Sequence, residues 1–179
     1  MKKLINNPKT ARTAGLMLPL IALAVTSFAH AEDFGSPYTM TVFSDDSYGR
    51  LVTGGDYATA IDKISSRGER RRMTFEAQTN LCVAYTKSGE LEKADAACNT
   101  AVAKIQPMAE RMLKRRSTPE YVAQGYREYL ALALANRGVL HAVRGDASDA
   151  RADFLRASEL DTELPVSPET NLARLERSN

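Results

Sequence analysis

Few residues in this chain could carry covalent or acid–base chemistry. Two cysteines, Cys82 and Cys98, stand in the run NLCVAYTKSGELEKADAACNTAV. A thiol oxidoreductase keeps its reactive pair two residues apart, at a helix N-terminus that lowers the thiol pKa. Here fifteen residues separate the two thiols. Only one histidine, His141, lies beyond the first 31 residues. One histidine and two separated cysteines do not form a zinc set. Asp149 and Asp153 are one helical turn apart, which is ordinary for a solvated helix face. There is no G-x-S-x-G, no H-E-x-x-H and no phosphate-cradling glycine loop. The sequence argues against an enzyme and offers no catalytic residue, cofactor or metal ligand.

The amino terminus sets the compartment. Lys2, Lys3, Lys9 and Arg12 form a basic stretch, Ala14 to Ala29 is apolar, and Ala29-His30-Ala31 fits a small-x-small cleavage site. Residues 1–31 read as a Sec signal peptide cut after Ala31, giving a periplasmic or secreted product. The apolar run is shorter than the ~20 residues of a membrane span, and no later segment is long enough, so no integral membrane segment is expected after cleavage. The whole chain has 24 basic and 22 acidic side chains. Four basic and no acidic ones leave with the leader, so the remainder has 20 against 22, and the charge gives no reason to expect nucleic acid.

What must position any binding residues is a repeat. GDYATAI from Gly55, GELEKAD from Gly89 and GDASDAR from Gly145 share a Gly, then an acid, then an Ala five residues after the Gly. Those alanines are Ala60, Ala94 and Ala150. The first two glycines are 34 residues apart, and the next interval is 56, which is one period plus 22. Upstream, Asn80-Leu81-Cys82 and Tyr85 correspond to Asn136-Arg137-Gly138 and His141. Downstream, Cys98 and Ala101 correspond to Phe154 and Ala157.

This pattern resembles the tetratricopeptide repeat (TPR), a helix-turn-helix unit in which a small and a bulky residue meet where its two helices approach. The resemblance implies an all-α fold, an α-solenoid of TPR helix-turn-helix repeats with one elongated helical hairpin. The units are 48–74 (partial, its first helix degenerate or missing), 75–107 and 131–161, with an insertion at about 109–130 and a C-terminal segment at 162–179. Arg137 and His141 depart from the family's usual Leu and bulky aromatic. Gly89 and Gly145 suit the inter-helix turn, and Glu90 and Asp146 the start of the next helix.

In such a hairpin Cys82 and Cys98 face one another. An exported pair that close usually forms a disulfide, while two buried reduced thiols remain the plainer alternative. For the insertion, Ser117 or Thr118 with Pro119 and Glu120 predicts a helix start, and the pattern runs on to about Val143. Ile105, Met108 and Met112 on one arm, with Val122, Tyr126 and Tyr129 on the other, predict the seam of a long antiparallel hairpin. Pro107 should kink or interrupt the outgoing arm. The clusters Arg67, Arg70, Arg71, Arg72 and Arg111, Lys114, Arg115, Arg116 read as solvated helix ends, with an acidic partner or anionic headgroups as the lesser reading.

Residues 32–47 form an extended or flexible arm. Tyr38 to Phe43 alternates like a strand, yet a helical stack offers no sheet edge. The family geometry implies a groove lined by the first helix of each unit. Its residues are Glu76, Thr79, Asn80, Val83, Thr86 and Lys87, then Leu132, Ala135, Asn136 and Val139. The same residues could instead pack against the arm or the hairpin. The functional expectation is a periplasmic, non-catalytic module that binds a protein or peptide of the cell envelope. The alternative is a homodimer or envelope-complex component built on the hairpin, and a thiol-exchange enzyme is the least supported.

Overall fold

The computed structural model describes residues 36–70, 73–160, 164 and 166–178, without the side chains of residues 68–70. The leader, its cleavage site, Arg71, Arg72 and the side chain of Arg70 lie outside what is described. Among the described residues the regular structure is entirely helical. The elements are α1 (Gly49–Thr53), α2 (Tyr57–Arg70), α3 (Phe75–Lys87), α4 (Leu91–Lys114), α5 (Glu120–Arg144), α6 (Ala147–Ser158) and α7 (Pro168–Ser178). Each helix from α2 to α5 packs on the next or next but one, α5 packs on α6 and α6 on α7. Contacts between α3 and α5 and between α5 and α7 bring these alternate helices together.

The three aligned glycines end helices in the same way. Gly55, Gly89 and Gly145 have φ of 80°, 76° and 85°, a left-handed conformation that glycine adopts without a Cβ clash. At each, the following acidic residue donates its N–H five residues back: Asp56 to Leu51, Glu90 to Tyr85, Asp146 to His141, at 2.8–3.0 Å. This is the hydrogen bond of a Schellman stop, and it satisfies a carbonyl that the helix end would leave bare. Five residues after each glycine, Ala60, Ala94 and Ala150 are all fully buried, where a larger side chain would separate the helices. A five-residue helix, α1, precedes α2.

The small-against-bulky correspondence also holds in space. Cys82 on α3 and Cys98 on α4 are bonded, with Cα atoms 4.7 Å apart. At the matching positions of the next pair, a Cβ on Gly138 would lie 2.7 Å from the ring of Phe154, which is completely buried. Arg137 also finds a role in holding these helices together. Its Nε and Nη2 both donate to the Asp153 carboxylate at 2.7 Å, and Nη1 reaches Asn99 Oδ1 at 3.1 Å, tying α5 to α6 and α4.

The long hairpin is present as α4 and α5, of 24 and 25 residues. Three details differ from expectation. α4 continues through Pro107 without a break. Ala103, whose carbonyl loses its helical donor there, is exposed, so water can supply the missing bond. α5 starts at Glu120 with Pro119 at its cap and no side-chain cap bond, and Thr118 Oγ1 is buried without a partner. The seam is also narrower than the Met and Tyr stripe suggests. Ile105, Ala109, Ala123 and Leu130 are buried, whereas Met108 is 45% and Tyr129 39% exposed. The small alanines let the helices approach, which leaves the larger side chains at the margin. No described helix is long and apolar enough to cross a membrane.

Candidate functional site

The arm that the sequence left undecided lies across α3, α5 and α7, gripped by three asparagines. Phe43 donates its N–H to Asn80 Oδ1 (2.9 Å), and Asn80 Nδ2 donates to the Phe43 carbonyl (3.0 Å). Thr41 makes the same pair with Asn136, at 2.9 Å in both directions. Thr39 makes it with Asn171, at 3.0 Å from its N–H and 2.8 Å to its carbonyl. The arm therefore crosses the helices in reverse chain order.

This resolves the missing sheet edge. A carboxamide carries the donor and acceptor of a peptide group, so each asparagine acts as one residue of a neighbouring strand. In an extended chain the N–H and C=O of residues i, i+2 and i+4 point to one edge, so Thr39, Thr41 and Phe43 share it. The two-residue advance is about 6.6–6.8 Å. That step lies close to the 8–10 Å between packed helices, and a four-residue step of about 13 Å does not. Asn80, Asn136 and Asn171 are at most 2% exposed. With the arm in place each has both ends of its amide satisfied.

The alternate residues face inward. Tyr38 and Met40 are buried in the main core cluster, with Val42 packed against it; Leu81, Val83, Val139 and Leu175 belong to the same cluster. The arm is fixed at its two ends as well. Tyr38 Oη lies 3.3 Å from Ser178 Oγ, and Arg174 donates to Thr39 Oγ1 at 2.8 Å. At the other end the ring of Phe43 meets Phe75 and Tyr129 edge-on, with centroids 5.5 and 5.6 Å away. A Cβ on Gly49 would stand 1.9 Å from the Phe43 carbonyl oxygen, so only glycine lets α1 approach the arm there.

The ten groove residues inferred from sequence divide accordingly. Asn80 and Asn136 hold the arm. Val83 and Val139 share its apolar cluster, and Leu132 and Ala135 are buried. Thr79 and Thr86 direct their hydroxyls to their own helix, to the carbonyls of Phe75 and Cys82. Lys87 is half-buried, and Glu76 borders an open cleft. The residue that sequence reasoning missed is Asn171. Its signal was legible: Asn171-Leu172-Ala173 repeats the order Asn, Leu, small seen at Asn80-Leu81-Cys82, 35 residues after Asn136.

Beside the filled groove, a cleft of about 380 Å³ opens between α3, α4 and α5. Phe75, Ile105, Met108, Tyr121, Tyr126 and Tyr129 line it. Tyr121 is 79% exposed. The acidic side chains Asp45, Asp46 and Glu76 border an adjoining hollow that shares Tyr129. Among the described residues no group of three or more His, Cys, Asp or Glu is placed to hold a metal ion. His141 Nδ1 is buried without a hydrogen-bond partner, while Nε2 lies 3.8 Å from the Asp153 carboxylate. Comparison with protein-family models, with curated proteins and with solved structures finds no match to this chain.

Proposed function

We propose that this protein is an exported, non-catalytic interaction module of the tetratricopeptide kind, an α-solenoid whose first-helix groove grips extended polypeptide. The observation that carries this reading is the set of three asparagines on α3, α5 and α7, each bonding both polar groups of one backbone residue in an extended segment. The three identical glycine stops and the matched Cys82–Cys98 and Gly138–Phe154 contacts support the repeat assignment. The leader read in residues 1–31 supports a periplasmic or secreted location and a protein or peptide partner there. A thiol-exchange role gains no support from a disulfide whose two residues are at most 1% exposed, since exchange needs access to a sulfur.

A second reading has its own observation. The open aromatic cleft, with Met108, Tyr121 and Tyr129 at its rim, suits a homodimer or envelope-complex contact through the hairpin. Photo-crosslinking in cells from Glu76 and from Tyr121, which both border the cleft, separates the two by its dependence on Asn136. A defined heterologous product that is lost on adding Asn136→Asp supports the groove. Self-crosslinks, or a product unchanged by Asn136→Asp, support the hairpin, and silence at both positions contradicts an interaction module.

A further inference from the structure

The hydrogen bonds from the asparagines to the arm go to main-chain atoms, the N–H and C=O of Thr39, Thr41 and Phe43. Every residue except proline offers that pair. Selection among sequences then falls to the inward positions, where Tyr38 and Met40 are buried and Val42 is packed against the core. On the other side Thr41 is half-exposed and makes no side-chain hydrogen bond among the described residues, while Arg174 holds the Thr39 hydroxyl and Phe43 packs on Phe75 and Tyr129. Among the described residues the segment runs into the helices through residues 44–48 ahead of α1. It can leave without breaking any bond within a helix.

We infer that the groove is a main-chain-reading site for extended peptides supplied in trans, with residues 38–43 as its occupant in cis. The ligand class is an unfolded or extended segment with large apolar residues at alternate positions and no proline where the asparagines reach. This rests on the groove reading of the function and adds the ligand's chemistry and the rival that holds its place. A foreign segment competes with an attached one, so the apparent affinity of the intact protein is reduced by the fraction of time the groove is open.

The test uses the full chain and fluorescence anisotropy. One probe is a labelled peptide with the sequence of residues 36–43. A second keeps Phe at the position of Phe43 and large apolar residues at the positions of Tyr38, Met40 and Val42 but changes the identity of those three, with serine at the position of Thr39 and lysine at that of Thr41. Met40→Asp and, separately, Thr41→Pro release the attached arm: one places a charge in the core, the other removes the N–H that Asn136 accepts. Both probes should bind each released variant at least about tenfold more tightly than they bind wild type. Adding Asn136→Asp should weaken that binding at least about tenfold, by setting a carboxylate against the ligand carbonyl. N-methylating the probe at the position of Thr41 should cost about as much, and at the position of Val42 less than about threefold, because no asparagine reaches that amide.

The inference is overturned if the second probe fails to bind variants with wild-type circular dichroism, since the groove then accepts its own arm alone. It is also overturned if binding survives Asn136→Asp, or if both release variants lose their helical signal, because the arm is then inseparable from the fold. Peptide binding in solution and crosslinking in cells read different things. Failure of the first with success of the second removes this inference and leaves the interaction module standing.

Discussion

Asn136→Ala is the sharpest perturbation of the arm's anchorage. The substitution deletes two hydrogen bonds of 2.9 Å between neutral groups, at the middle of the three grips. Each such bond contributes about 1 kcal/mol net, so the bonds alone account for about 2 kcal/mol. Thr41 would then leave a half-buried N–H and C=O to find water, which adds part of a further ~1–3 kcal/mol. The expected loss is about 2–4 kcal/mol. It has a ceiling, because the arm can detach: the loss cannot exceed the free energy with which the arm docks. Urea unfolding with a constant m-value measures it. Asn136→Asp should cost more at neutral pH, because its carboxylate meets the Thr41 carbonyl at a site only 2% exposed. The folded-state pKa of that new acid is raised, so the excess loss is fully present above it and is relieved as pH falls and the acid gains a proton to donate. A stability change below about 0.5 kcal/mol for Asn136→Ala would refute the idea that the amide pair holds the arm.

Other substitutions test the rest of the frame. Replacing both Cys82 and Cys98 with alanine should lower stability by about 3 kcal/mol, the chain-entropy value for a loop of this size, read from melts with and without reductant. Gly138→Ala should cost about 1–3 kcal/mol in the same assay, because its Cβ would press on the fully buried Phe154 ring. Asp153→Ala should cost about 1–3 kcal/mol by removing two charge-assisted hydrogen bonds to the half-buried Arg137, and pairing it with Arg137→Leu should recover much of that loss. The nearby Ser158 hydroxyl, then a hydrogen bond from Ser167, then its own backbone N–H hold the Glu169 carboxyl below the usual carboxylate range. Its contribution is therefore present above the unfolded-state value and lost as pH falls through the folded one, and Glu169→Gln should abolish that acid-side loss in melts between about pH 6 and pH 3.

The helical frame was legible because each turn carries its own chemistry. Gly89 and Gly145 announced inter-helix turns, and Ala60, Ala94 and Ala150 announced close helix contacts; all five hold those places, and Gly55, aligned with the two glycines, turns in the same way. The end of α5 followed from its unbroken apolar period and the glycine after it. The arm was not legible, for a physical reason. Alternation in Tyr38 to Phe43 signals a strand, and the partner of a strand is sought in other alternating segments. Here the partner is a row of side-chain amides drawn from three helices far apart in sequence. Asn80 and Asn136 could be aligned but not aimed, since a buried asparagine declares only that it needs partners. Asn171 escaped notice because three residues, Asn171-Leu172-Ala173, carry its signal.

Residue-resolved amide hydrogen exchange along the arm tests the central claim most directly. Thr39, Thr41 and Phe43 donate to asparagine oxygens, and no bond is made by the amides of Met40 and Val42 among the described residues. The account predicts alternating protection, with the amides of 39, 41 and 43 slowed and those of 40 and 42 exchanging far faster. Uniformly fast exchange from 38 to 43 would contradict it, because the groove would then hold no extended chain.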